Sequence, residues 1–307
     1  MSDTVPVQAP DTQPIEDAVA QYRAQKPHRA KKRWTRFVLP AYTGFVLLYL
    51  SFPIFVMILY SFNDSDVGSG TSPRAKTEWL GFTTVWYRQL FNLPDLTTAL
   101  QHSLLMAVIV SIIATALGTF LGIALGRYKY RGKTGTDFLL FLNIASPEIV
   151  LGVALASFFV TAGLTRGFTT ILFSHVMFSI PFVAITVRAR VQGLDRSLEN
   201  AAMDLGANPV TTFMKVTLPL ILPGILAGLG LAFALSIDDF VITDFVRGSY
   251  QMFPTFVYGT SRVGVPPQAF VMASLIFVFG AAIALLNIVV GGRKQARNTA
   301  IGTGGVR

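Results

Sequence analysis

Six apolar stretches, at about residues 37–61, 98–126, 138–162, 168–190, 220–245 and 268–291, constrain what this chain can fold into. Each is near the ~20 residues that a helix needs to cross the hydrocarbon core of a bilayer. Lipid offers no hydrogen-bond partner to a peptide group, so a spanning segment must satisfy its own backbone, and an apolar run of this length does so as a helix. The expected fold class is an all-α membrane protein with six transmembrane helices. Composition agrees, because 52% of the residues are hydrophobic and 13% are charged, against roughly 25% charged in soluble domains.

Residues 1–36 are polar, carry Pro6, Pro10, Pro14 and Pro27, and end in the basic run Lys26, Arg29, Lys31, Lys32, Arg33 and Arg36. They read as a disordered tail that meets anionic membrane lipid. No short apolar run with a small-residue cleavage site precedes them, so the tail is expected to be retained. Residues 292–307 form a second tail, and 63–97 an external segment long enough for a short surface helix around 79–91. With the N-terminus inside, the internal segments hold nineteen Lys and Arg (seven in 1–36, four at 127–133, four at 188–215, four after 291) and the external ones six. That bias places both termini in the cytoplasm.

The net charge is +9 and cysteine is absent. The basic residues flank apolar runs and form no basic face on a folded module, which argues against a nucleic-acid partner. Without cysteine there is no thiolate metal site and no thiol nucleophile. Gly132-Lys133-Thr134 has the ending of a phosphate-binding loop, yet Arg127 occupies the place of its first glycine and no strand precedes it. No catalytic, cofactor or metal site is expected in this chain.

The connection 191–219 is two short helices with punctuation. Asp195 can cap the first helix, Gly206 suits the left-handed position that ends it, and Asn208-Pro209 supplies a second cap with proline at the first helical position. Leu198, Ala201, Ala202 and Leu205 recur at helical spacing as one narrow apolar stripe. Periodicity alone leaves open whether this helix lies on the membrane, packs back onto the bundle or meets another protein.

The order of these residues resembles the loop signature of permeases in bacterial binding-protein-dependent ABC importers. That signature is Glu-Ala-Ala, three residues, Gly, nine residues, an aliphatic, one residue, then Leu-Pro. Here it reads Asn200, Ala201, Ala202, Gly206, Val216, Leu218 and Pro219, with every spacing kept. Asn200 stands at the family's glutamate position, with Glu199 beside it, pointing about 100° away around a helix. The resemblance implies a six-helix permease bundle whose loop docks into a cytoplasmic ATPase dimer. It further implies a second permease subunit, an extracytoplasmic solute-binding protein, a bacterial inner-membrane location, and ATP and magnesium handled by the ATPase. Ser146-Pro147-Glu148-Ile149-Val150 with Gly152, the run from Leu235 to Ile242, and Tyr258-Gly259 with Arg262 and Gly264 resemble one branch, the C-type permeases of spermidine/putrescine importers.

The acidic residues give a separate reason to expect a cationic solute. A carboxylate deep in a span is disfavoured by ~2.5–3.5 kcal/mol on insertion scales and usually lines a protein interior or an aqueous path. Glu148 falls near the middle of the third stretch, and Asp238 and Asp239 about three-quarters along the fifth. A helix restart, with Ser146 as cap and Pro147 at the first position, accounts for Glu148 equally well. Consecutive Asp238 and Asp239 cannot face one direction, so one lines the path and the other bonds to a neighbour. Asp244 reads as an interfacial residue, and His175 as a buried, hydrogen-bonded side chain. Pro53 and Pro181 interrupt two spans, and Gly118 and Gly122 have helix-pairing spacing. The alternatives to a polyamine permease are an ABC permease for another small solute, a proton-coupled transporter using Glu148, Asp238 and His175, and a membrane scaffold.

Overall fold

The computed structural model describes residues 21, 35–64, 78–262 and 264–282. These are almost entirely helical, with one isolated bridge between Asn63 and Phe82 and no strand among the described residues. In chain order the helices are α1 Thr35–Tyr60, α2 Val85–Arg88, α3 Pro94–Arg127, α4 Lys133–Ala145, α5 Glu148–Thr161 and α6 Phe168–Gln192. Then come α7 Ser197–Asp204, α8 Pro209–Thr212, a π-helical turn Phe213–Thr217, α9 Leu218–Asp238, α10 Val241–Val246, α11 Phe253–Ser261 and α12 Pro267–Ala282. The chain divides into a unit over 1–56 and a unit over 57–307. In the first, α1 runs through Pro40 and Pro53 without a break. All packing described below belongs to the second.

Four segments are long and apolar enough to cross a membrane: Phe37–Tyr60, Pro94–Arg127, Phe168–Gln192 and Pro209–Asp238. The third expected span is instead a pair, α4 and α5, bent by 106°. Proline explains the break, since Pro147 lacks the N–H that would continue the helix and pushes Ser146 into extended backbone at ψ 131°. Ser146 does not cap the restart; its hydroxyl donates back to the Leu142 carbonyl at 2.7 Å, Pro147 takes the cap position and Glu148 opens α5. The fifth span also differs from its expected bounds of 220–245. It stops at Asp238, Asp239 is extended, and α10 follows as a separate short helix. Of the sixth, the described part is α12, and 283–291 lie outside the described residues, as do 1–20, 22–34 with most of the basic run, and 292–307 of the tails. The helix expected around 79–91 contracts to Val85–Arg88, and its Trp86 is fully buried rather than superficial, donating its indole N–H to the Asn63 carbonyl at 2.9 Å.

The centre of the bundle is α3, α6 and α9. On α3 the buried side carries Ser103, Ala107, Ser111, Ala114, Gly118 and Gly122, while Leu105, Ile112, Leu117 and Phe120 are exposed. The same buried side also carries Leu96, Met106, Val110 and Leu125, so small residues alternate with large ones there. In lipid, bulky apolar side chains gain nothing by moving inward, and helices associate where small residues let backbones approach. A Cβ on Gly118 would lie 2.7 Å from the Val183 Cβ, and one on Gly122 2.6 Å from the Ala184 carbonyl oxygen. α9 meets α6 in the same way, with Gly224 against Arg190 and Gly228 against Val183. A cluster of Ala114, Val183, Val187, Val191, Ile221 and Ala232 fills the junction. A second, including Met106, Phe159, Phe178 and Ile242, brings α5 and α10 onto α3 and α6.

Gly122→Val forces side-chain atoms into the α6 backbone and is expected to destabilise the bundle by about 1–3 kcal/mol. Gly230→Ala, where nothing lies within 4 Å of the added methyl, serves as control. Unfolding midpoints in detergent should fall for the first and not for the second.

Candidate functional site

Two places in the bundle hold the residues singled out by the sequence. The first is the segment around α7. Asp195 accepts from the Ser197 backbone N–H at 2.9 Å, one of the free amides at the start of the helix. That bond, reinforced by the Ser197 hydroxyl, holds the Asp195 carboxyl below the ordinary carboxylate range. Because the shift is downward, the cap is fully formed at neutral pH and weakens only as pH falls through the lowered range.

The end of α7 is a Schellman motif. The Gly206 N–H bonds the Met203 carbonyl at 2.9 Å and the Ala207 N–H bonds the Ala202 carbonyl at 3.1 Å, with Gly206 at φ +87°. Asn208 then accepts from the Thr211 N–H at 2.8 Å, with Pro209 next as expected. Pro219 sits in the first turn of α9 just after the π turn. It lacks an N–H to continue the regular bonding, which accounts for the widened turn before it.

None of the eight residues of α7 is buried. Leu198 is 48% and Leu205 90% exposed, Ala201 is exposed, and Ala202 is half-buried. Among the described residues the apolar stripe therefore has no partner over most of its length. Glu199 and Asn200 part ways. Asn200 is exposed, whereas Glu199 turns toward the bundle, where its Oε1 accepts from Arg127 Nη2 at 2.8 Å and from the Thr217 hydroxyl at 2.6 Å.

The second place is where α9 breaks. Asp239 is buried and its Oδ2 accepts from both the N–H (2.8 Å) and the hydroxyl (2.7 Å) of Thr243 in α10. His175 of α6 lies against the same oxygen at 3.2 Å. The His175 ring is held from both sides, Nδ1 by the Ser236 hydroxyl at 2.9 Å and Nε2 by the Thr243 hydroxyl at 2.8 Å. The buried, hydrogen-bonded reading of His175 holds, and its partners are spread over 61 to 68 residues of sequence separation. Asp238, next along the backbone, takes the opposite direction. It is exposed and lines a cavity of about 670 Å³ with Phe240, Phe253, Val257, Tyr258 and Phe277. The Tyr258 ring packs on Phe240 at 4.4 Å and takes the Arg262 guanidinium over its face at 5.5 Å from its centre.

A carboxylate beside the Phe240, Phe253 and Phe277 rings and aliphatic walls suits an organic cation, through charge, ring quadrupoles and apolar contact together, while the Tyr258 face is already occupied by Arg262. Sequence reasoning named Asp238 but not Phe240 or Tyr258 as its companions. Phe240 was two residues away, and Tyr258 joins only through the fold of α11. Glu148 is exposed at the bend before α5 and does not line this cavity. Its helix nonetheless packs on α10, with Gly152 against the Phe245 ring, where a Cβ would come within 2.7 Å. Asp244 pairs with Arg247 at 3.0 Å.

The buried network and the exposed carboxylate should respond differently to replacement. His175→Leu strips Asp239, Ser236 and Thr243 of a buried partner and is expected to lower stability by about 1–3 kcal/mol. Asp238→Asn, on an exposed side chain, should stay within about 0.5 kcal/mol of the parent. Detergent unfolding of the two variants measures the contrast.

Residues 118–292, which include α7, Glu148 and both aspartates, match the family model described as binding-protein-dependent transport system inner membrane component. Over 255 residues the chain is 39% identical to the spermidine/putrescine transport system permease protein PotC of Escherichia coli (strain K12), covering 83% of this chain and 94% of that protein. It is 36% identical over 241 residues to the putrescine transport system permease protein PotI of the same strain, covering 76% and 82%. Among solved structures, a bacterial ABC transporter involved in the import of the acidic polysaccharide alginate shares the fold at TM-score 0.59 and 16% identity, covering 85% of this chain and 98% of that one. The chain is thus a multi-pass membrane protein that belongs to the family of binding-protein-dependent transport system inner membrane components.

Proposed function

We propose that this chain is the polyamine-carrying permease subunit of an ATP-driven importer in the bacterial inner membrane. It works beside a second permease subunit, a cytoplasmic ATPase dimer that uses ATP and magnesium, and an extracytoplasmic solute-binding protein. Both termini and α7 face the cytoplasm in this reading, in keeping with the lysines and arginines gathered at that side. The observation that carries the substrate assignment is Asp238 facing an aromatic-walled cavity. It is supported by relatives whose names specify spermidine and putrescine.

Transport needs binding that is favourable enough to enter and weak enough to leave. A single carboxylate with ring faces meets one ammonium group at a time, and the methylene segments between ammonium groups suit the apolar walls. Glu148, at the bend before α5, offers a second acidic waypoint on a different element. The exposed stripe of α7 supplies the ATPase contact: an apolar helix face with no partner among the described residues, beside an exposed Asn200. Closure of the ATPase then moves α7 and switches the bundle between inward and outward access. No covalent step on the solute is required.

Spermidine uptake into vesicles holding the full complex should require ATP and survive a protonophore; the reverse pattern would overturn this reading in favour of proton coupling. Asp238→Asn is expected to raise the KM for spermidine about tenfold, equivalent to ~1.4 kcal/mol of lost binding. Glu148→Gln should weaken uptake of the same cation, and unchanged kinetics would return that residue to a purely structural role. Gly206→Val places a branched side chain at φ +87°, where it costs roughly 1–2 kcal/mol. Uptake should fall while membrane insertion is unchanged.

A further inference from the structure

α7 presents a mechanical difficulty. It buries no residue of its own, and a cavity of about 390 Å³, lined by Arg127, Arg196, Glu199, Asn200, Met203 and Thr217 among others, lies between it and the bundle. A helix seated largely on a gap rather than on a packed core transmits displacement poorly through apolar contacts alone. Polar bonds bridge the gap instead. One oxygen of Glu199 accepts from Arg127 Nη2, on the last residue of α3, and from the Thr217 hydroxyl, on the turn that leads into α9. Arg196, at the start of α7, donates to the Arg127 carbonyl at 2.7 Å, a free carbonyl at the negative end of α3. The Arg127 side chain is 10% exposed and that of Glu199 23%. Removing either partner leaves a largely buried charge without its counter-charge, which is far costlier than breaking a pair in water.

We infer that Glu199 is a positioning residue that fastens α7 to the bundle and passes its movement into α3 and α9 at once, rather than a contact for the ATPase. The carboxylate beside the docking face is consumed inside the chain, and the partner meets Asn200, Leu198, Ala201 and Leu205. α3 and α9 both pack on α6 through glycine contacts in which an added Cβ would come within 2.6 to 3.0 Å of a neighbour, so a displacement applied to both ends moves the three as one body. The inference rests on the docking role proposed for α7, and it concerns the step after docking.

The test separates docking from transmission in the assembled complex. Glu199→Gln should leave co-purification of the ATPase and its hydrolysis intact while uptake per ATP hydrolysed falls at least several-fold. The exchanged pair Arg127→Glu with Glu199→Arg should recover part of the lost uptake. Loss of ATPase association in Glu199→Gln would overturn the inference by making Glu199 a docking contact, and so would unchanged uptake per ATP. Failure of the docking role itself looks different, because the unmodified chain would then not hold the ATPase at all. The chain contains no cysteine, which permits a test within one sample. Arg127→Cys with Glu199→Cys, bridged by a bis-methanethiosulfonate that forms a disulfide at each end, should transport when bridged and lose transport when the disulfides are reduced. Equal transport in both forms, high or low, with the ATPase still bound, would overturn the tie.

Discussion

Close approach between the α3, α6 and α9 backbones is the constraint on which the rest depends. With lipid outside, bulky apolar residues have no reason to move inward, so the bundle is held by surfaces that fit at short range. Gly118, Gly122, Gly224 and Gly228 are the places where that fit leaves no room for a side chain. A scaffold of this kind resists shear within the three helices and leaves its outer surface, with exposed Leu105, Ile112, Leu117 and Phe120, to lipid or to another subunit. It is a suitable base for a machine that must move in blocks.

On this base the candidate functional residues occur where regular helix is interrupted. Pro147 breaks one span and sets Glu148 at the start of a new helix. The α9 break at Asp239 sends neighbouring carboxylates opposite ways, one into a buried network and one into a cavity. The network makes the break tolerable. Asp239 receives the free amide of Thr243 that α10 would otherwise leave unbonded, and His175 of α6 lies against the same carboxylate oxygen. Ordering Asp239 inward is what leaves Asp238 pointing outward.

The basic residues counted for orientation also have structural work. Arg127 holds Glu199, Arg188 pairs with Asp137 of α4, Arg190 donates to the Leu220 carbonyl at 3.0 Å, and Arg196 holds the end of α3. Of these, Arg196 meets an exposed carbonyl at a helix C-terminus, that of Arg127, while Arg190 bonds a carbonyl in the first turn of α9 and the other two pair with carboxylates.

Local signals made much of this protein legible in the sequence. Apolar length dictated helices at four of the expected positions, because an unbonded peptide group in lipid is too costly for any alternative. Asp195, Gly206, Asn208 and Pro209 announced the ends of the α7 segment because caps and left-handed turns depend on residues within five of one another. What stayed hidden was decided by distance in sequence. His175 with Ser236, Thr243 and Asp239, Tyr258 with Asp238, and Glu199 with Arg127 are partnerships between helices, and periodicity on one helix does not state which neighbour it will face. Pro147 marked a discontinuity in the sequence, but whether the chain kinks or turns through 106° depends on what the two halves pack against. The tertiary structure alone chose which of two adjacent carboxylates is buried, since Thr243 of α10 and His175 of α6 meet Asp239 only once the helices are packed.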